Sequence, residues 1–211
     1  MKNNNFPLIT NKNKTVDEGY IKYKCNWIYS KSVSTSEIIE LNQWRDKLYQ
    51  LGLIGIYDNG IGFGNLSIRC DRTKQFIISG TKTGSISSLT ERHYTKVTDF
   101  NWSENYVTCV GEIQASSEAL THAAVYIANP EVNAVLHVHN LEMWKKLMDK
   151  VPTTARNCAY GTPEMAKEII RLCQEDKTKQ TKIIVMSGHE EGIIAFGRNL
   201  EEAGKILLQY L

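Results

Sequence analysis

Between Val132 and His139 the chain reads Val-Asn-Ala-Val-Leu-His-Val-His, with apolar residues alternating along it. A period of two belongs to a β-strand, where side chains two apart point to the same face. His137 and His139 are therefore side by side, and any fold of this chain must seat two imidazoles on one face of one strand. Such a pair can supply the first two ligands of a metal ion. Upstream, Ser116-Ser117-Glu118 opens a helical stretch that also carries His122. Downstream, Ser187-Gly188-His189 follows the apolar run Lys182-Ile183-Ile184-Val185-Met186. A carboxylate, a His-x-His pair and a third histidine at the end of a distant strand are the parts of a three-histidine catalytic zinc site with an acid/base beside it. The chain has 5 histidines, and only His93 falls outside this constellation. His93, in Thr90-Glu91-Arg92-His93-Tyr94, reads as an ordinary exposed helix residue. His122 lies one helical turn after Glu118, on the same face, and reads as a hydrogen-bonding support behind the site rather than a ligand.

Composition narrows the class. A chain of 211 residues fits one domain and can bury roughly 70% of its unfolded surface. Its 42% hydrophobic and 23% charged residues are those of a soluble globular protein. A net charge of +2, with no Lys/Arg run interleaved with aromatics, excludes a nucleic-acid surface. The cysteines (Cys25, Cys70, Cys109, Cys158, Cys173) are 5 in number, scattered and without a C-x-x-C pair, which argues against a disulfide framework and a zinc ribbon. The first residues lack the apolar core of a signal peptide and no stretch approaches membrane-spanning length. The expected compartment is a reducing one, most simply the cytoplasm.

Residues 1–15 are polar and Asn/Lys-rich and are expected to be mobile, leaving 16–211 as a single domain. Gly19 to Tyr29 alternates partly, as a short edge strand does. Ser34 with Glu37 forms a capping box ahead of Leu41, Trp44, Leu48 and Leu51 at helical spacing, with Gly52 as the stop. A glycine-rich turn, Asp58 to Gly64, runs into a strand to Cys70, and Phe76 to Ile78 is another strand. Thr90 to Lys96 reads as a short helix, Tyr106 to Val110 as a strand, and Ser116 to Ala128 as a helix stopped before Pro130. Thr162 caps a helix with Pro163 at its first position, running to about Gln174. Strands Ile183 to Met186 and Gly192 to Phe196 lead through Asn199, an N-cap, into a closing helix Leu200 to Leu211. Strands and helices mixed in this way imply an α/β or α+β architecture around one mixed or largely antiparallel sheet.

Three turns can hold an anion. Gly64-Asn65-Leu66-Ser67 and Ser79-Gly80-Thr81 place glycine beside small hydroxyl or amide side chains just outside a strand, where backbone N–H groups can cradle a phosphate. Ser116 and Ser117 at a helix N-terminus add further N–H groups and the positive end of the helix dipole. The spacing is neither that of a Walker loop nor that of a dinucleotide fingerprint.

These pieces, in this order, resemble the class II aldolase/adducin family, the group of fuculose-1-phosphate aldolase-like, ribulose-5-phosphate 4-epimerase-like and methylthioribulose-1-phosphate dehydratase-like enzymes. The resemblance covers roughly Ser36 to Leu211. It rests on Gly64-Asn65-Leu66-Ser67, Ser79-Gly80, Ser116-Ser117-Glu118 with His122, His137-Val138-His139, Ser187-Gly188-His189 and Asn199-Leu200-Glu201-Glu202-Ala203. It implies a central, mainly antiparallel sheet flanked by helices, a three-layer arrangement, and a homotetramer. It implies Zn2+, or another divalent metal, on His137, His139 and His189, with Glu118 as the acid/base. Gly64, Asn65, Ser79, Gly80, Ser116 and Ser117 would hold the phosphate of a sugar-phosphate substrate, with Thr81, Thr83 and Gly84 as further contributors. The implied reaction is an aldolase-type cleavage or rearrangement of a phosphorylated ketose through a metal-stabilised enediolate. Dehydratase, epimerase and decarboxylase chemistry on the same site are alternatives, as is a non-catalytic adducin-like assembly module. The epimerases carry aspartate after the two serines, so Glu118 favours aldolase or dehydratase.

The chain departs from the family pattern in places. His189 is followed by Glu190-Glu191-Gly192, where the family has glycine directly after histidine, so an ungapped reading puts Glu191 in the third ligand position. Between His139 and Gly161 the chain is shorter than the sugar-phosphate aldolases and loses the segment carrying their tyrosine proton donor. Tyr160 is nearby but off the donor's position, and reads as structural.

Overall fold

The computed structural model describes residues 20–31, 33–71 and 73–211. The segment 1–15 expected to be mobile lies outside the described residues, as does Gly19, where the predicted edge strand begins. In chain order the elements are β1 (Lys24–Tyr29), α1 (Ile39–Gln50), β2 (Gly55–Ile56), β3 (Gly62–Phe63), β4 (Asn65–Arg69), β5 (Phe76–Ser79), β6 (Tyr94–Asn101) and β7 (Tyr106–Gly111). There follow α2 (Ala119–Ala128), β8 (Ala134–His139), α3 (Leu141–Leu147), α4 (Pro163–Cys173), α5 (Asp176–Thr181), β9 (Ile183–Val185), β10 (Gly192–Gly197) and α6 (Leu200–Leu208). Eight strands form one sheet in the order β1-β7-β6-β5-β4-β8-β10-β9. Its neighbours are antiparallel except β1 beside β7.

Helices cover both faces of this sheet, so the architecture is the expected three-layer α/β arrangement. The alternation read in β8 decides the layering. Ala134, Leu136 and Val138 enter an apolar cluster with Leu41 and Leu48 of α1, Met143 and Leu147 of α3, and Leu200, Ala203 and Leu207 of α6. Val135 enters the opposite cluster, with Leu120, Ala123 and Ala124 of α2 and Met165, Ile169 and Leu172 of α4. His137 and His139 share the Val135 face, at the open end of the strand.

Local chemistry sets the helix ends. The Thr162 hydroxyl accepts from the Met165 N–H ahead of Pro163, and the Asn199 side chain accepts from the Glu202 N–H at 2.8 Å. The Ser34/Glu37 capping box is present, but it heads a 3-10 turn, Thr35–Ile38, from which α1 continues. Three readings are corrected. Thr90 to Lys96 is not a helix: a 3-10 turn, Glu91–His93, leads into the eight-residue strand β6. Tyr94, Thr95 and Val97 are buried there, and aromatic and β-branched residues suit a pleated surface. His93 is thus half-buried, its Nδ1 accepting from the Thr90 N–H at 2.9 Å. The helix after Ser116 starts at Ala119, and the closing helix ends at Leu208. Two short helices, α3 and α5, had no counterpart in the sequence reading.

Candidate metal centre

Sheet register gathers the site at one end of the central strands. His137 of β8 lies opposite Asn65, the first residue of β4, on one side and Ile194 of β10 on the other; His139 lies opposite Gly192. The β9–β10 connection therefore brings His189 over the end of β8. Gly188 makes that approach possible, because a Cβ there would lie 1.9 Å from the Cys158 carbonyl oxygen. Gly64 turns the chain into β4 at φ +73, and its Cβ would sit 2.7 Å from Ile54 Cγ1, so glycine is required there on both counts.

His137, His139 and His189 form a buried cluster that could hold a metal ion: each offers one ring nitrogen, and these three atoms lie within 4.8 Å of one another. The hydrogen bonds fix the tautomers of two of them. His137 Nδ1 lies 3.2 Å from the Ile193 carbonyl oxygen, which can only accept, so the proton is on Nδ1. Tyr57 donates its single hydroxyl hydrogen to the Glu191 carboxylate at 2.7 Å. Toward His139 Nδ1, 2.8 Å away, the phenol oxygen must therefore accept, so His139 also carries its proton on Nδ1. Both Nε2 atoms then turn lone pairs toward each other at 3.1 Å. Two facing acceptors at that distance repel unless a cation sits between them, so the donor set fits a divalent metal. Burial, then the charges of neighbouring histidines, hold both imidazoles well below the usual histidine pKa, which keeps them neutral as ligands must be.

Glu118 is 2% exposed and ends the approach to α2. One carboxylate oxygen accepts from the Thr121 hydroxyl, and the other lies 3.6 Å from His189 Nδ1. A buried carboxylate oriented from one side and set at the rim of the cluster is placed to carry a proton. Glu191 is elsewhere: its carboxylate is 3.9 Å from His139 Nδ1, at the ring edge turned away from His137. The third member beside the His-x-His pair is His189. His122 is fully buried behind the site, with Nδ1 2.7 Å from Ser67 Oγ, which is in turn 2.7 Å from the Tyr126 hydroxyl. Burial lowers its pKa to about 3. It belongs to that chain of hydroxyls rather than to the cluster.

One cleft is lined by Gly64, Asn65, Gly80, Ser116, Ser117, Glu118, His137 and His189, together with Gly62, Phe63, Thr81, Lys82, Thr83 and Gly84. The glycine- and serine-bearing turns thus share one space with two members of the histidine cluster, His137 and His189. Ser79 does not line it, since its hydroxyl accepts from the Leu66 N–H at 3.4 Å. A bridge between Gly80 and Ala115 ties two of the turns together.

Sequence reasoning missed several supports. Arg45, buried in α1, donates to the Ser87 and Thr83 carbonyls at 2.9 and 3.1 Å and clamps the loop after β5. Nothing marks it in sequence beyond its place next to the apolar stripe of α1. Tyr57 and Thr121 act through contacts that only the fold creates, although Thr121, three residues after Glu118, has the right helical spacing. Tyr160 packs its ring 4.9 Å from that of His189, with the Lys22 ammonium 3.8 Å from its centroid.

The sequence profile of the Class II Aldolase and Adducin N-terminal domain matches residues 47–210. No curated protein sequence matches significantly. Among solved structures, an L-fuculose 1-phosphate aldolase superposes with a TM-score of 0.65 at 19% identity, covering 85% of this chain and 84% of the other. The L-fuculose-1-phosphate aldolase of Thermus thermophilus gives a TM-score of 0.54 at 20% identity, covering 80% and 83%. That of Glaciozyma antarctica gives 0.54 at 15%, covering 86% and 74%. At such identities the likeness shows a shared fold.

Proposed function

This chain belongs to the class II aldolase and adducin family, and from that premise we propose that it is a divalent-metal lyase, with Zn2+ the favoured metal, cleaving a phosphorylated ketose. The observation that carries the reading is the pair of facing Nε2 lone pairs 3.1 Å apart, closed by His189 and flanked by buried Glu118. A core has no use for such an arrangement unless a cation occupies it, which argues against a purely structural module.

In this reading His137, His139 and His189 hold the metal, which when bound is a Lewis acid for the substrate's carbonyl and neighbouring hydroxyl oxygens. Glu118 handles the proton. Cleavage of the carbon–carbon bond needs the hydroxyl on the departing carbon to give up its proton as the aldehyde forms, and it leaves negative charge beside the carbonyl. Glu118 acts as the shuttle, the hydroxyl proton passing to solvent and a proton from solvent reaching that carbon through the carboxyl group. Its bond from Thr121 fixes the carboxylate for this transfer. Gly64, Asn65, Gly80, Ser116 and Ser117 line the cleft within reach of a phosphate, and Ser79 supports that wall from behind. Their contribution is positioning, which makes the reaction effectively unimolecular. Buried His122 keeps Ser67 and Tyr126 in register beneath the site.

The proposed assembly is a homotetramer and the proposed compartment the cytoplasm. No helix among the described residues is long and apolar enough to cross a membrane. The test is a panel of ketose phosphates assayed for release of dihydroxyacetone phosphate by the zinc-loaded protein. Release from at least one member, abolished by chelation, is the expected result. No release from any, in a protein that binds no stoichiometric metal, would leave the non-catalytic assembly reading. A sedimentation mass equal to the monomer at all micromolar concentrations would contradict the tetramer.

A further inference from the structure

Glu191 occupies a costly backbone conformation for a residue with a side chain, at φ +68. Left-handed geometry disfavours residues that carry a Cβ, and such strain concentrates at functional sites. Here it is imposed by the turn that carries His189. The His189 N–H bonds to the Met186 carbonyl, the Gly192 N–H to that of His189, and the Asn140 N–H to that of Glu191, at 3.1, 3.0 and 3.0 Å. The result aims the Glu191 carboxylate at Tyr57, and the phenol completes a chain to His139: carboxylate, hydroxyl, imidazole, at 2.7 and 2.8 Å. Tyr57 is itself held by Phe63, whose ring lies 4.4 Å from its own and 5.4 Å from that of His139.

We propose that Tyr57 and Glu191 are positioning residues that set the affinity of the histidine cluster for its metal, Glu191 acting through Tyr57. The inference rests on the reading of the cluster as a metal site. The chain keeps the His139 proton on Nδ1 and the ring at a fixed angle, and its terminal negative charge draws electron density toward Nε2. Histidine ligands depend on such partners, whose loss costs about 10–100-fold in metal affinity. Among the described residues, His137 has a backbone carbonyl, that of Ile193, in the equivalent place. Within the His-x-His pair, His139 is therefore the ligand whose support can be removed by a side-chain change, while His189 has the Glu118 carboxylate 3.6 Å from its Nδ1.

The experiment is Zn2+ affinity by chelator competition for wild type, Tyr57→Phe, Glu191→Gln and the double variant. Tyr57→Phe keeps the ring that packs on Phe63 and removes both hydrogen bonds, so it is expected to bind Zn2+ about 10–100-fold more weakly. Glu191→Gln is expected to weaken binding less, and to add nothing in the Tyr57→Phe background. A role confined to folding would lower the apo-protein's melting temperature but leave the Zn2+ affinity of the folded protein at the wild-type value. Nitrogen NMR of labelled histidine is expected to show the His139 proton on Nδ1 in wild type and a mixture of tautomers in Tyr57→Phe. Should Tyr57→Phe fail to fold, Glu191→Gln, at a partly exposed position, still reads the charge contribution. Wild-type affinity in both single variants overturns the inference while leaving the metal site intact. Additive losses in the double variant overturn the route through Tyr57. A wild-type protein that binds no Zn2+ overturns both this inference and the reading beneath it.

Discussion

The two faces of β8 are equally buried and do opposite work. Ala134, Leu136 and Val138 disappear into the apolar layer of α1, α3 and α6, where each gains by leaving water. On the other face Val135 does the same, but His137 and His139 follow it at 1% and 3% exposure, and Glu118, His122 and Asn65 are buried nearby. Burying imidazoles and a carboxylate costs free energy unless each finds a partner. Here the partners form a site: Ile193, Tyr57, Thr121 and Ser67 orient the polar groups, while two ring nitrogens are left facing one another. Burial alone therefore does not separate framework from function. What separates them is whether the buried groups satisfy each other or converge on a space that suits a cation.

The largest expected separation between the faces comes from Glu118→Gln. The substitution keeps size and hydrogen-bonding shape but cannot ionise, and general acid/base catalysis is worth about 10²–10⁴-fold. Turnover, or exchange of solvent deuterium into the carbon next to the carbonyl of dihydroxyacetone phosphate, should fall by that order with zinc retained. Exchange at the wild-type rate would assign the proton to another group.

Leu136→Ala, on the other face of the same strand, should do the reverse. Deleting a fully buried leucine costs about 2–5 kcal/mol by denaturant unfolding, and the folded fraction should keep its metal stoichiometry. A loss of metal comparable to that of a histidine variant would mean the faces are not independent.

Acid should expose the polar face next. His122 has a folded pKa of about 3 against about 6.5 unfolded. The unfolded chain therefore binds a proton between those values while the native state does not, and stability rises with pH there. His122 contributes fully above pH 6.5 and less as pH falls toward 3, by about 1.4 kcal/mol per unit. His122→Asn should flatten the stability–pH curve in that window by one proton, and an unchanged slope would show that His122 is solvated. The smallest effect belongs to the apolar side: Asn199→Ala removes the α6 cap, costing about 1 kcal/mol of stability without touching metal content.

The comparison also explains what could be read from the chain. The period of two in β8 shows the histidine pair, and the Thr162-Pro163 and Asn199 caps place α4 and α6 closely. β6 was hidden because a polar turn, Glu91–His93, leads into it, and Lys96 and Asp99 break up its apolar residues. α3 was hidden by its length, one short helix following β8 directly through the Asn140 cap. The third histidine was ambiguous with Glu191 because only the turn geometry, with Glu191 at φ +68, decides which side chain faces His137. Tyr57 was illegible in principle: it meets His139 across 82 residues of sequence, through packing that no local pattern encodes.

All of this turns on whether a metal sits between those facing nitrogens. Wild type, His139→Ala and His93→Ala, each equilibrated with Zn2+ and freed of excess, should be compared by elemental analysis. The account predicts one zinc per chain in wild type and in His93→Ala, and well below one in His139→Ala with the fold intact by circular dichroism. Equal metal in the two variants, or none in wild type, would contradict it.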